Sequence, residues 1–346
     1  MSDVIVAKPS GEEIGAMLFT EFDFEIGDEE NSFLVTCLRS EWGKIEDRSR
    51  IYIPGTEYGG IYRKTESDTK IGTIGAGGFT WRGMLQNKIL QPPSGQDYAT
   101  DSGELNAVIG ARVSAAFPGL FIGSSESTGV TVSFRYNRYI TLYEGLKAML
   151  KSVGYKMKII YDQERCAVVV EAVPIVDYSD EIEYSSDMNA DYNMVRDLTG
   201  VNHLICLGSG ELKNRVVVHL YVDGNGNISQ RQTFTGADEI TKVYDYAGAT
   251  RADLIKGGTD QLSQYANKTS FKIDLDSDKD VDIGDIVGGR DYISGIKMTA
   301  PITTKLVKWR NGFQTTEYKL SDEVNIEELE EETAGLMSVQ REDATI

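Results

Sequence analysis

Histidine, cysteine and positive charge are all scarce in this chain, and each shortage removes a class of function. Only two histidines, His203 and His219, occur among 346 residues. Neither belongs to a His-Glu-x-x-His pattern, and no Gly-x-Ser-x-Gly elbow or cysteine with an obvious histidine partner is present. His219 lies in a Val-rich run on the side of Val217 and Tyr221, which reads as a strand histidine satisfied by a neighbour. The three cysteines (Cys37, Cys166, Cys206) are odd in number and widely spaced, a pattern that predicts buried thiols in a reducing compartment. Lys and Arg number 35 against 54 Asp and Glu, a net charge of −19. Such a surface repels duplex DNA and anionic membranes. No specific nucleic-acid binding is expected, although an acidic wall that DNA slides past is compatible with it. No apolar run approaches the ~18 residues of a membrane span, and the N-terminus lacks a basic segment followed by an apolar one. The expectation is a chain made and folded in the cytoplasm, with no membrane-spanning segment.

Hydrophobic residues at 40% and aromatics at 9% argue for a folded chain. Its length is more than one ordinary core accommodates, so two or three domains are expected. The most informative stretch is Phe271–Leu320. Phe271, Ile273 and Leu275 alternate with Lys272 and Asp274, the period-2 mark of a half-buried strand. Val281 to Gly289, Tyr292 to Ile296 and Pro301 to Trp309 follow as strands. Asn311-Gly312 then predicts a two-residue hairpin, because both central residues of a type I′ turn need positive φ. Residues 16–75 read as a first unit of five short strands.

Helices are fewer. Thr80 is placed to cap one carrying Trp81, Leu85 and Ile89 at four-residue spacing and ending at Pro92-Pro93. Asp101 or Ser102 is the expected cap of a second, with Leu105, Val108, Ile109 and Val113. Thr141 and Glu144 form a capping box for a third, with Leu142, Leu146, Met149, Leu150 and Val153 buried and Gly154 after its end. A hairpin of Tyr155–Tyr161 with Cys166–Val173 completes an α/β insert. Residues 250–268 are expected to be helical but weakened at Gly257-Gly258. The expected division is 1–95, 96–198 (the insert), 199–320 and an acidic tail, 321–346.

Candidate sites are few. Asp274, Asp276, Asp278 and Asp280 crowd one turn with Asp282 and Asp285, as hard-oxygen ligands of a cation would. Lys279, however, stands where a calcium loop needs glycine, and Asp285 where it needs glutamate, so a solvated hairpin is the competing reading. Asp223-Gly224-Asn225-Gly226-Asn227 reads the same way, as a tight turn. Gly72 to Gly78 lacks the Lys-Ser/Thr end of a phosphate loop. Carboxylates are abundant enough to leave a glycosidase pair open, yet nothing singles one out.

Two features together resemble the hub proteins of phage tails. One is Gly59-Gly60-Ile61-Tyr62 to Asp68, a strand and hairpin leading to Phe79-Thr80-Trp81-Arg82-Gly83-Met84-Leu85. The other is Val281-Asp282-Ile283-Gly284-Asp285-Ile286-Val287-Gly288-Gly289-Arg290-Asp291, followed by two strands and the Asn-Gly hairpin. The resemblance covers most of residues 16–320. It implies a β-dominated α+β fold of two tail-tube-like antiparallel β-barrel or sandwich domains with an α/β insert. It also implies a baseplate or tail-tip hub in the virion of a phage or phage-derived contractile particle, assembled in the bacterial host cytoplasm. Such a hub is a homotrimeric ring meeting the tail tube protein, a spike or tip protein, other baseplate proteins and the tape measure protein. It is structural, not an enzyme, and needs no cofactor. The competing classes are a tail-associated cell-wall hydrolase and a receptor- or carbohydrate-binding tip module.

Overall fold

The computed structural model describes residues 3–68, 70, 72–179, 183–184, 191–197, 199–224, 226–266, 268–274, 281–291, 296–310, 312–321 and 325–328. The chain divides into two units, Met1–Tyr192 with Lys272–Ile346, and Asn193–Phe271.

The first unit opens with β1 (Val4–Ala7), β2 (Glu13–Met17), β3 (Phe19–Gly27), β4 (Ser32–Leu38), β5 (Arg50–Tyr52), β6 (Gly59–Asp68) and β7 (Thr73–Thr80). Then come α1 (Trp81–Gln86), β8 (Thr100–Glu104), α2 (Leu105–Ala116), β9 (Phe121–Gly123), β10 (Thr131–Arg135), α3 (Leu142–Lys151), β11 (Tyr155–Asp162) and β12 (Ala167–Pro174). After β13 (Glu183–Tyr184) and β14 (Asp191–Asp197) the chain enters the second unit.

That unit holds β15 (His203–Leu207), β16 (Val217–Val222), β17 (Ile228–Ser229), β18 (Thr241–Asp245) and α4 (Arg251–Tyr265). The return is through β19 (Lys268–Asp274), β20 (Ile286–Asp291), β21 (Ile296–Arg310), β22 (Phe313–Leu320) and β23 (Asn325–Glu328).

The main sheet of the first unit runs β19-β22-β21-β3-β4-β7-β6-β5-β1-β2. β21 is the strand on which it turns. Its first half, Ile296 to Pro301, pairs with β20, and its second half, from Thr304, pairs with β3 and β22. Pro301 lies at the change of partners, beside a register shift between Ile302 and Thr304, where a residue without an N–H is tolerated. Two separate barrels are therefore not what the described residues form, since none of their sheets closes. Residues 296–320 join the N-terminal strands because β3 offers β21 a free ladder edge opposite β4.

The α/β insert packs a three-stranded sheet, β11-β12-β9, with α2 and α3. Its core is continuous with the main sheet: the Tyr161 ring stacks on Tyr52 at 3.8 Å and on Trp81 at 5.5 Å. Thr80 caps α1 by accepting from the Gly83 N–H at 3.3 Å. The helix stops at Gln86, however, and Ile89 is exposed, bridged instead to Thr141. Asp101 and Ser102 belong to β8, paired with β10, so the cap of α2 is Glu104. Thr141 caps α3 through the Glu144 N–H at 3.1 Å, while the Glu144 carboxylate turns to Lys147 at 3.3 Å.

In the second unit the sheet order is β17-β16-β15-β18, with β18 parallel to β15. Leu254 and Leu262 of α4 are buried with Leu204, Cys206, Val218, Leu220 and Val222. The full capping box is here, between Thr250 and Asp253. The helix continues through Gly257-Gly258, and a Cβ at Gly258 would lie 2.6 Å from the Cys206 sulfur. Glycine costs helix propensity there and lets the helix lie close on the sheet.

Candidate functional site

One row of side chains crosses three strands: Phe22 of β3 faces Trp309 of β21, and Trp309 faces Gln314 of β22. Because strand side chains alternate between faces, the three share one side of the sheet. Phe22 stacks on Trp309 at 6.0 Å, and Phe19 meets Trp309 edge-on at 6.1 Å. With Ile53, Thr56, Tyr58 and Gly312 they line an open cleft of about 640 Å³.

Further along the same face the surface changes from aromatic to charged. Lys305, two rows in from Trp309, lies 5.4 Å from the Tyr58 ring centre and 5.8 Å from that of Tyr318. Burial works against its charge, yet Tyr58, Asp282 and Tyr318 more than offset this and raise its pKa. Behind it the buried Arg82 guanidinium donates to Glu57 at 3.0 Å and to the Met157 carbonyl at 3.1 Å. Burial again opposes the charge, and the Glu57 carboxylate overrides it to hold the guanidinium above its ordinary value.

The glycine–aspartate step that was prominent in the sequence completes this seam. Asp285 accepts from the Val176 N–H and the Asp282 N–H, each at 3.0 Å, and pairs with Lys156 at 2.5 Å. Gly284 before it has φ +95°, and a Cβ there would lie 2.9 Å from that of Lys156, so glycine is required. Removing one partner of so buried a pair leaves an uncompensated charge. The arrangement is a structural clasp, since every buried charge in it has a partner.

The opposite face of β3, β21 and β22 is mostly charged, although Leu306 and the exposed Phe313 also lie on it. It presents Glu21, Asp23 and Glu25, then Lys308 and Arg310, then Glu317 and Lys319. Arg310 stands 3.9 Å from Glu21 and 3.8 Å from Asp23, and Lys319 3.9 Å from Glu25 and 2.5 Å from Glu29.

No known protein family and no curated protein matches the sequence. The 43 kDa tail protein of prophage MuSo2 from Shewanella oneidensis superposes over 92% of this chain and 98% of its own, at 12% identity and a TM-score of 0.51. The chain shares the fold of a prophage tail protein. A tail protein from Neisseria meningitidis MC58 matches at 14% identity over 92% of this chain and 95% of its own, TM-score 0.48. A component of the phage P2 baseplate in its activated conformation matches at 9% identity over 93% and 99%, TM-score 0.49.

Of the acidic turn singled out in the sequence, Asp274 ends β19 opposite Glu317, and Asp276, Asp278 and Asp280 lie outside the described residues. Asp282 and Asp285 belong to the clasp. Among the described residues, no group of three or more His, Cys, Asp or Glu is placed to hold a metal, and no helix is long and apolar enough to cross a membrane. Asp223 accepts from the Asn227 N–H at 2.8 Å, as its turn requires. Gly75, Gly77 and Gly78 lie in β7, not in a loop.

The histidines do meet. His203 Nε2 is 2.8 Å from His219 Nδ1, and His203 Nδ1 is 2.5 Å from Glu239. Sequence reading anticipated a satisfied His219 without identifying its partner. The β15–β16 register, Ile205 opposite His219, sets the two on one face.

Proposed function

We propose that this chain is a structural hub of a phage or phage-derived tail baseplate, and not an enzyme. In this reading three copies form a ring that joins the tail tube to a spike or tip and lines the channel. The observation that carries it is the fold shared with the MuSo2 tail protein across 92% of this chain. The tail-tube-like portions are the expected segments 1–95 and 199–320. They close into a barrel-like ring only when copies assemble. Residues 96–198 lie outside that ring as the insert.

The aromatic cleft serves as a protein contact for the tube, spike, tape measure or other baseplate proteins. The mostly charged face of β3, β21 and β22 is the channel wall, where paired charges with an excess of carboxylates repel the DNA backbone. The site of action is the virion tail, after assembly in the bacterial host cytoplasm.

Native mass spectrometry of the full chain, followed by negative-stain images, tests this. A mass of three chains and threefold rings are expected. A single-chain mass at every concentration would overturn the reading.

A further inference from the structure

Net charge hides a local reversal. Residues 81–160 carry nine Lys and Arg against five Asp and Glu, in a chain of net charge −19. Within them the loop after β10 is hydrogen-bonded on both sides. The Tyr136 N–H donates to the Ala99 carbonyl at 3.0 Å, and the Leu90 N–H to the Ile140 carbonyl at 2.8 Å. One end of the loop thus lies by Tyr98 and Arg135 and the other by Lys88 and Ile89, with the exposed Arg138 and Tyr139 between them, a stretch with three cations.

Each of its cations lies over an aromatic ring: Arg135 over Tyr98 at 4.6 Å, Arg138 over Tyr139 at 5.5 Å, Lys88 over Phe117 at 5.1 Å. None of the three forms an ion pair with a described residue, although carboxylates outnumber cations in the chain. Tyr139 is 60% exposed and Ile89 48%, and Tyr139 has φ +57°, a conformation uncommon for a bulky residue. Exposed arginine and tyrosine side chains are what protein interfaces are richest in at their energetic centres. The neighbouring Asp97 is the carboxylate nearest in sequence, and Arg112 is already taken by Asp101 at 2.8 Å.

We propose that this cationic aromatic surface binds a carboxylate-rich peptide, and that the occupant is residues 329–346 of this chain. Charge decides the choice: that segment has five Asp and Glu, three of them the run Glu330-Glu331-Glu332, against the single Arg341. Eighteen residues beyond Glu328 reach about 60 Å when extended, wider than a domain of this size.

The test uses the full chain with a photo-crosslinking benzoylphenylalanine in place of Tyr139. Mass spectrometry is expected to find the crosslink in residues 329–346, at a yield reduced at least fivefold by Arg135→Glu with Arg138→Glu or by 0.5 M salt. An unchanged melting temperature in the arginine variant shows that it is folded. Crosslinks elsewhere, or a yield indifferent to charge, overturn the proposal. So does diversion of the crosslink to an added 20-mer of oligothymidylate, which would assign the surface to phosphodiesters.

Discussion

The two units of this chain solve the same problem in opposite ways. Residues 193–271 carry eight Lys and Arg and eight Asp and Glu, whereas the remainder carries 27 against 46, so the whole excess of negative charge lies in the larger unit. The smaller one buries a sheet under one capped helix, from residues close in sequence. The larger one relies on pairs far apart, such as Phe22 with Trp309 and Tyr52 with Tyr161. Self-repulsion opposes compaction, so the charged unit depends on aromatic packing and on the Glu57–Arg82 and Lys156–Asp285 pairs to stay closed. The neutral unit has no such opposing term.

Breaking that comparison begins at Trp81, which is 1% exposed and packed on Tyr161 and Phe121. Trp81→Ala is expected to destabilise the larger unit by about 3–5 kcal/mol. Hydrogen exchange should show the loss there and leave residues 193–271 protected. Equal loss in both units would mean that they unfold as one. The reciprocal change is Gly258→Val, which forces a side chain against Cys206 and Leu220 at a cost of about 1–3 kcal/mol, confined to the exchange of β15, β16 and α4.

The smallest effect concerns acid. Slight burial works against the ionised Glu104 carboxylate, but hydrogen bonds from the Ala107 N–H, the Thr128 hydroxyl and the Thr128 N–H outweigh it. Its pKa therefore falls below the ordinary 4.5. A depressed carboxylate contributes stability that is complete above the unfolded value and disappears as pH falls through the folded one. Glu104→Ala should thus cost about 1 kcal/mol at pH 7, a gap that narrows in denaturant titrations below pH 4.5.

Local signals were legible in the sequence and distant ones were not. Thr80, Thr141 and Gly154 marked helix ends because capping is settled within four residues, and Asn311-Gly312 marked a hairpin, with Arg310 paired to Phe313. Ile89 fitted a helical stripe, but its backbone is bridged to Thr141 fifty residues on. The affinity of Asp101 and Ser102 for a helix start was overridden by pairing with β10. Nothing in the spacing placed Phe22 beside Trp309, so the cleft, the shared sheet and the limits of the two units became visible only with the strand register. The buried role of Asp285 was likewise masked by its acidic neighbours in sequence, which suggested a solvated hairpin or a cation loop.

The ladder between β3 and β21 sets an order of events during translation. Phe22 and Phe24 leave the ribosome early, yet the strand that covers their open edge is nearly three hundred residues behind. The intervening small unit has all its contacts available first and can fold while the aromatic strand waits. A nascent chain stalled before Trp309 therefore exposes a sticky, unpaired strand edge, and chaperone dependence should end only when the final hairpin emerges.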